Sequence, residues 1–271
     1  MEKMKKRELT IEEIKKIEYG ILKDVKNFCE KNHIQYFLAC GTALGAVRHN
    51  GFIPWDDDID IAMPRPDYEE FLSKYSSEKY AIYDARVKRN YPYAFAKVCS
   101  EDTVLIEHIE RPVPLGVYID VFPIDGFPNN VKEQKRHLNL IEWDLRVLSW
   151  KRISPNKNKD ILHKIYEGIA KILLLPISIE VLVKKLDRDV RKYPYQTSSY
   201  VGHFVSKAPW GSDVKPKEIF ENAVKHIFEE DEFWIPGQYE EYLRLEYGDY
   251  MKLPPLEKRV THHDYVAYLK D

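Results

Sequence analysis

Apolar positions recur along this chain in three rhythms, and each rhythm predicts a different element. Ile11, Ile14, Ile17, Ile21, Leu22, Val25 and Phe28 fall every three or four residues, the spacing of one helical face across residues 10–31. Thr10, with Glu13 three residues on, forms a capping box at its start. Ile34 to Ala39 is a continuous apolar run and reads as a buried strand ending in Gly41-Thr42. Ala43 to His49 predicts one or two helical turns, stopped by Asn50-Gly51. Then the period becomes two: in Asp58-Ile59-Asp60-Ile61 a strand places both acids on one face and both isoleucines on the other. Arg65-Pro66-Asp67 opens a second helix over Tyr68–Tyr75, with Tyr68, Phe71, Leu72 and Tyr75 inward.

Four more strands are predicted over 80–125, in YAIYDA, AFAKVC, TVLIEHI and GVYIDVF. Pro92, Ser100-Glu101-Asp102 and Pro112–Gly116 separate them, and Asp125, after a proline, reads as a turn residue. From Pro128 to about Pro194 the rhythm is helical again, through Leu138, Ile141, Leu145 and Leu148 and then Ile161, Ile165, Ile169 and Leu173. The C-terminal part carries aromatic turns at Trp210-Gly211-Ser212 and Phe233-Trp234-Ile235-Pro236, and a helix near 237–247. These elements make an α/β fold, a mixed sheet flanked by helices. One catalytic unit, 1–271, divides into a core at 32–128, a helical insertion at 129–195 and a C-terminal part at 196–271 that completes the site.

Composition narrows the function. At 44% hydrophobic and 13% aromatic residues the chain is not disordered, and a net charge of −2 advertises no nucleic acid. Cys29, Cys40 and Cys99, an odd number without CxxC spacing, argue against a disulfide framework or a zinc site and for a reduced, cytoplasmic setting. The charged start, MEKMKKRELTIEEIKK, lacks the apolar core of a signal peptide. Charge is unevenly spread. Residues 131–195 hold fifteen Lys/Arg against eight acids, a surplus of seven. Two readings stay open there: an ordinary helical subdomain, or a face meeting a membrane surface, with the apolar run Ile172–Ile179 too short to span one.

The candidate chemistry sits at Asp56, Asp57, Asp58 and Asp60. An acidic run is most often a solvated turn, but a solvated turn needs neither the interleaved isoleucines nor the preceding glycine turn, Pro54 and Trp55. Paired carboxylates on a rigid strand repel unless a cation lies between them, and oxygen-only ligands suit Mg²⁺ or Mn²⁺. Gly41 and Thr42, at a helix N-terminus, offer backbone N–H groups to a phosphate. Asp120, between Ile119 and Val121, is either an edge residue facing water or a third carboxylate.

CGTALGAVRHNGFIPWDDDIDIAMPR (40–65) resembles the signature of the LicD family of phosphocholine transferases, to which fukutin-type sugar-phosphate transferases are related. YPYAFAKV (91–98), GVYIDVFPIDGFP (116–128) and EYGDYMKLPP (246–255) are similar to further blocks of that family. The resemblance implies a nucleotidyltransferase-like sheet in which Asp58, Asp60 and Asp120 are the catalytic and metal-binding trio. It implies transfer of phosphocholine from CDP-choline to a hydroxyl of a lipid-linked glycan, in teichoic acid or lipopolysaccharide, at the cytoplasmic leaflet. Arg48 and Lys97 would be charge partners of the donor phosphates beside Gly41 and Thr42. Trp55, Tyr91, Tyr93 and Tyr118 lie in the blocks from which a choline cage would be drawn. Lys258 and Arg259 are either diphosphate contacts or a solvated tail. Gly-Thr stands where nucleotidyltransferases usually have Gly-Ser or Gly-Gly, and fifteen residues separate Thr42 from Asp58, leaving the part of Asp56 and Asp57 open. The alternatives are a CDP-ribitol or CDP-glycerol phosphotransferase, a DxD glycosyltransferase, for which 57 residues before the motif are few, and a regulatory nucleotide-binding module.

Overall fold

The computed structural model describes residues 7–107, 113–152, 161–206, 214–261 and 265–270. The end of the strand expected through Ile109, the turn at Trp210-Gly211-Ser212 and the pair His262-His263 lie outside them.

Helix α1 (Ile11–Asn32) begins at the capping box: Thr10 Oγ1 accepts from Glu13 N at 3.3 Å and Glu13 Oε2 accepts from Thr10 N at 2.9 Å. The apolar run after it pairs over only two residues, β1 (Phe37–Leu38), although Ile34 and Tyr36 are buried as well. The reason is the next turn. Cys40 adopts φ 46°, and the chain enters α2 (Cys40–His49) at once, so Gly41 and Thr42 lie in the helix's first turn rather than before it. Asn50, left-handed at φ 56°, ends α2. Strand β2 (Asp60–Pro64) runs directly into α3 (Arg65–Lys74). Strands β3 (Tyr80–Tyr83), β4 (Ala96–Ser100), β5 (Thr103–Glu107) and β6 (Tyr118–Phe127) follow.

The helical stretch contains α4 (Val131–Arg152), α5 (Ile161–Leu174) and α6 (Ile179–Val190). Beyond it come β7 (Tyr200–Gly202), β8 (Lys215–Pro216), β9 (Val224–Phe228), β10 (Asp231–Ile235), α7 (Tyr239–Tyr247) and β11 (Tyr265–Leu269). The main sheet is ordered β1-β2-β6-β4-β3, with β7 and then β8 added along the far end of β6. It is a curled mixed sheet flanked by helices. Among the described residues only β2 and β6 pair in parallel, and α1 packs against β6 and β4. Two small antiparallel pairs, β9–β10 and β5–β11, complete the sheets.

Two local expectations are corrected. Phe233-Trp234-Ile235 is not a turn but the second strand of a hairpin, with Phe233 and Ile235 buried. Asp125 is not a turn residue either. It lies inside β6, fully buried, and accepts two bonds from Arg65, Nε to Oδ1 at 2.7 Å and Nη2 to Oδ2 at 2.6 Å. A bidentate guanidinium–carboxylate pair of this kind satisfies a carboxylate that burial alone would expel. Asp187 of α6 reaches the same guanidinium at 3.3 Å, so the pair also anchors that helix to the sheet. The apolar run Ile172–Ile179 is divided: Ile172, Leu173 and Leu175 are exposed, whereas Ile179 is buried.

Candidate active site

The parallel β2–β6 ladder sets Asp60 opposite Asp120, and the antiparallel β6–β4 ladder sets Asp120 opposite Lys97. Residues directly opposite in neighbouring strands point to the same face, so two acids and a lysine form a row across three strands. Lys97 Nζ donates to Asp120 Oδ1 at 2.6 Å. Its side chain is 2% exposed, with the Tyr118 ring centroid 3.4 Å and the Tyr93 centroid 4.7 Å from the ammonium. Tyr118 and Tyr93 both donate their hydroxyls to Glu107, so their rings are fixed around the lysine.

The segment before β2 brings in more acid. Asp56, Asp57 and Asp58 each offer an oxygen, and these oxygens lie within 4.8 Å of one another. Asp57 is buried, and its backbone carbonyl accepts from the Tyr265 hydroxyl of β11 at 3.3 Å. Asp56 leans over the start of α2. A Cβ on Gly41 would stand 2.5 Å from Asp56 Oδ2, so the glycine is what lets the carboxylate approach the helix N-terminus. Thr42 Oγ1 accepts from Asp60 N at 2.8 Å, and Ala39 N donates to Asp60 O at 3.0 Å. The first turn of α2 and the strand that carries Asp60 are therefore locked together.

Electrostatics follow from this crowding. Burial first, then Asp58, Asp120 and Asp56, push the Asp60 carboxyl well above the usual carboxylate range, with Lys97 pulling the other way. Glu18 of α1, 3% exposed, is pushed up in the same way by burial and then by Asp58, Asp57 and Asp120, against a smaller opposing effect of Lys15.

Asp56, Asp58 and Asp60 form one wall of a cleft of about 850 Å³, together with Gly41, Arg48 and Trp55. The other wall comes from the end of α7 and the segment beyond, with Tyr247, Asp249, Tyr250, Lys252 and Lys258. Arg48 Nη1 donates to the Tyr250 carbonyl at 2.7 Å and so joins the walls. Arg259 lies with its guanidinium carbon 5.2 Å from the Trp55 ring centroid.

Of the residues singled out in the sequence, Gly41, Arg48, Trp55, Asp58 and Asp60 thus meet in the cleft. Thr42 is buried behind it holding Asp60, Asp120 stands next to Asp60 in the sheet, and Lys97 and Tyr118 lie behind Asp120. Glu18 carries a visible signal that the helical reading passes over: an acid in the stripe between Ile14 and Ile21. The pairing of this stripe with the acids needs the fold. An all-oxygen donor set, a glycine that lets Asp56 close in and a buried, unpartnered Glu18 Oε2 all fit a hard divalent cation.

Residues 33–146 match the family model described as LicD/FKTN/FKRP, nucleotidyltransferase domain. The chain is 32% identical over 274 residues to the lipopolysaccharide cholinephosphotransferase LicD of Haemophilus influenzae, covering 97% of this chain and 99% of that protein. An uncharacterised protein of Rickettsia typhi is 34% identical over 117 residues, covering 41% of this chain and 35% of that protein. Another, of Rickettsia prowazekii, is 29% identical over 115 residues, covering 41% and 40%.

Proposed function

The chain belongs to the LicD family and is a transferase, and on that premise we propose that it moves phosphocholine from CDP-choline to a hydroxyl of a cell-surface polysaccharide precursor, in lipopolysaccharide or teichoic acid, with Mg²⁺ or Mn²⁺. The end-to-end likeness to a lipopolysaccharide cholinephosphotransferase supports the transferred group. The structural observation that carries the chemistry is the convergence of Asp56, Asp58 and Asp60 on one wall of a cleft whose other wall carries Lys252 and Lys258.

A diphosphate entering that cleft meets carboxylates that would repel it. Asp58, Asp60 and Asp120, with Asp56 and Asp57 at hand, are the residues to hold the cation. Bound there, it would shield the diphosphate and stabilise the charge that develops on departing CMP. Of the N–H groups at the start of α2, that of Cys40 is donated to the Tyr242 hydroxyl, so those of Gly41 and Thr42 would serve the phosphates beside the cation, while Lys252 and Lys258 would neutralise charge from across the cleft. The acceptor oxygen forms the new bond to the choline-bearing phosphorus. The bond from that phosphorus to the CMP oxygen breaks with its electron pair leaving on CMP, and the hydroxyl proton passes to a cleft carboxylate. Asp120 already accepts from Lys97, which fits it for holding charge rather than for taking that proton.

A quaternary ammonium binds best against aromatic faces. Trp55, Tyr247 and Tyr250 line the cleft, and Trp55 already stands against a guanidinium. Tyr118 and Tyr93 have their faces turned to Lys97, so they suit that internal cation and not choline.

The lipid-linked acceptor brings the chain to a membrane surface. Among the described residues no helix is long and apolar enough to cross one. Ile169, Ile172, Leu173 and Leu175, at the end of α5 and in the following turn, are exposed, and Lys171 and Lys184 are nearby in sequence. An apolar edge among lysines suits an anionic interface.

Isothermal titration with CDP-choline, CDP-ribitol and a UDP-sugar, each with and without Mg²⁺, tests the reading. Tightest, Mg²⁺-dependent binding of CDP-choline is expected. Preference for either other donor overturns it.

A further inference from the structure

We propose that Glu18 is a residue of the cation site, supplying a carboxylate oxygen from α1 to the ion assigned above to Asp58, Asp60 and Asp120, or to a water on it. The inference rests on the metal-dependent reading above and extends it to a helix that lies outside the matched family segment, residues 33–146.

The first observation is where Glu18 stands. Ile14, Ile21, Leu22 and Val25 form the buried stripe of α1, and Glu18 takes its place in that stripe at 3% exposure. A carboxyl at such a position is costly to the fold unless something compensates it. The second is what it lacks. Its Oε2 is fully buried without a hydrogen-bond partner. It caps no helix and holds no loop, so packing and hydrogen bonding give no reason for an acid here.

The third observation is what surrounds it. α1 packs on β6 and β4, the strands that carry Asp120 and Lys97. The charges acting most strongly on Glu18 are those of Asp58, Asp57 and Asp120, and the nearby cation Lys15 acts more weakly. Tyr265, whose hydroxyl bonds the Asp57 carbonyl, lies within reach of the charges of Glu18, Asp57 and Asp58. A buried, unpartnered acid on a helix packed against the strand of Asp120, near a cluster fitted for a divalent ion, is accounted for by that ion. A structural acid would instead show a cationic or N–H partner.

The test uses the full chain, with Glu18→Gln as the near-isosteric variant and Glu18→Leu as one that keeps the apolar stripe filled. Mn²⁺ binding is measured by electron paramagnetic resonance, with and without CDP-choline, and thermal unfolding is followed with and without Mg²⁺. Both variants are expected to bind Mn²⁺ at least tenfold more weakly than wild type. They should unfold at a higher temperature than wild type without metal and gain less from Mg²⁺. Mn²⁺ affinity within twofold of wild type in either folded variant overturns the role of Glu18 and leaves the metal reading standing. Absence of Mn²⁺ binding to wild type, even with CDP-choline, overturns both.

Discussion

The Thr42 hydroxyl accepts the backbone N–H of Asp60 at 2.8 Å, tying the first turn of α2 to the first residue of β2. The start of α2 and the start of the acidic strand are thus tied together. Thr42→Val keeps the side-chain shape and strands a buried N–H, at a cost of about 1–3 kcal/mol. Urea unfolding should show that loss. Turnover should fall with it, because Asp60 is no longer held in register.

Removing the charges that serve the reaction should act on rate rather than on fold. Asp58→Asn and Asp60→Asn are each expected to lower kcat about a hundredfold or more, since a charge acting in the transition state contributes about 3 kcal/mol. Asp120→Asn should match them in rate and, by leaving the buried Lys97 ammonium without its carboxylate, should also lower stability. Full turnover in EDTA, or an Asp120→Asn variant within about threefold of wild type, would count against the assignment.

Lys97 is the internal counter-charge of the acid row. Lys97→Met leaves Asp120 without it and should cost about 3–5 kcal/mol of stability, as removal of one partner of a buried pair does. The double variant Lys97→Met/Asp120→Asn should recover most of that loss. If the two losses simply add, the pair is not the source of the effect.

Burial, opposed by Glu246 and reinforced by Lys215, lowers the His203 imidazole from its ordinary value to about 4. A histidine depressed in the folded state stabilises the protein above its unfolded pKa, near 6.5, and loses that contribution as pH falls towards 4. Stability should therefore drop between pH 6.5 and 4, by about 3 kcal/mol from this group. His203→Gln should flatten the slope in that window; an unchanged slope would place its origin elsewhere.

The exposed end of α5 should carry membrane affinity. Co-sedimentation with anionic vesicles at low salt, weakening at high salt, is expected, since each basic side chain near the surface contributes about 1 kcal/mol. Leu173→Glu should weaken it further. Equal, negligible binding to anionic and zwitterionic vesicles would leave the exposed apolar edge without that role.

Local pattern alone was enough for much of the molecule. The Thr10–Glu13 box, the stripe of α1, the stop at Asn50 and the acid–isoleucine alternation around Asp60 are set by neighbours three or four residues apart or fewer, and such spacing is written in the chain. The likeness of its blocks to one family was legible for the same reason. What the chain does not display is which distant positions share a register. Asp125 reads as a turn residue until Arg65, sixty residues earlier, closes on it in the core. Phe233-Trp234-Ile235 reads as a turn until β9 pairs with it. Asp120 could face water or the other acids, and the parallel ladder decided it by setting Asp60 opposite. Lys97 could have been a phosphate contact, and the same sheet turned its ammonium to Asp120. Glu18 was visible only as an acid in an apolar stripe, and the packing of α1 on β6 brought it within reach of the charges of Asp58, Asp57 and Asp120. Hydrogen-bond ladders and helix packing join residues without regard to their separation along the chain, so the row of acids and the cleft in front of it belong to the tertiary structure.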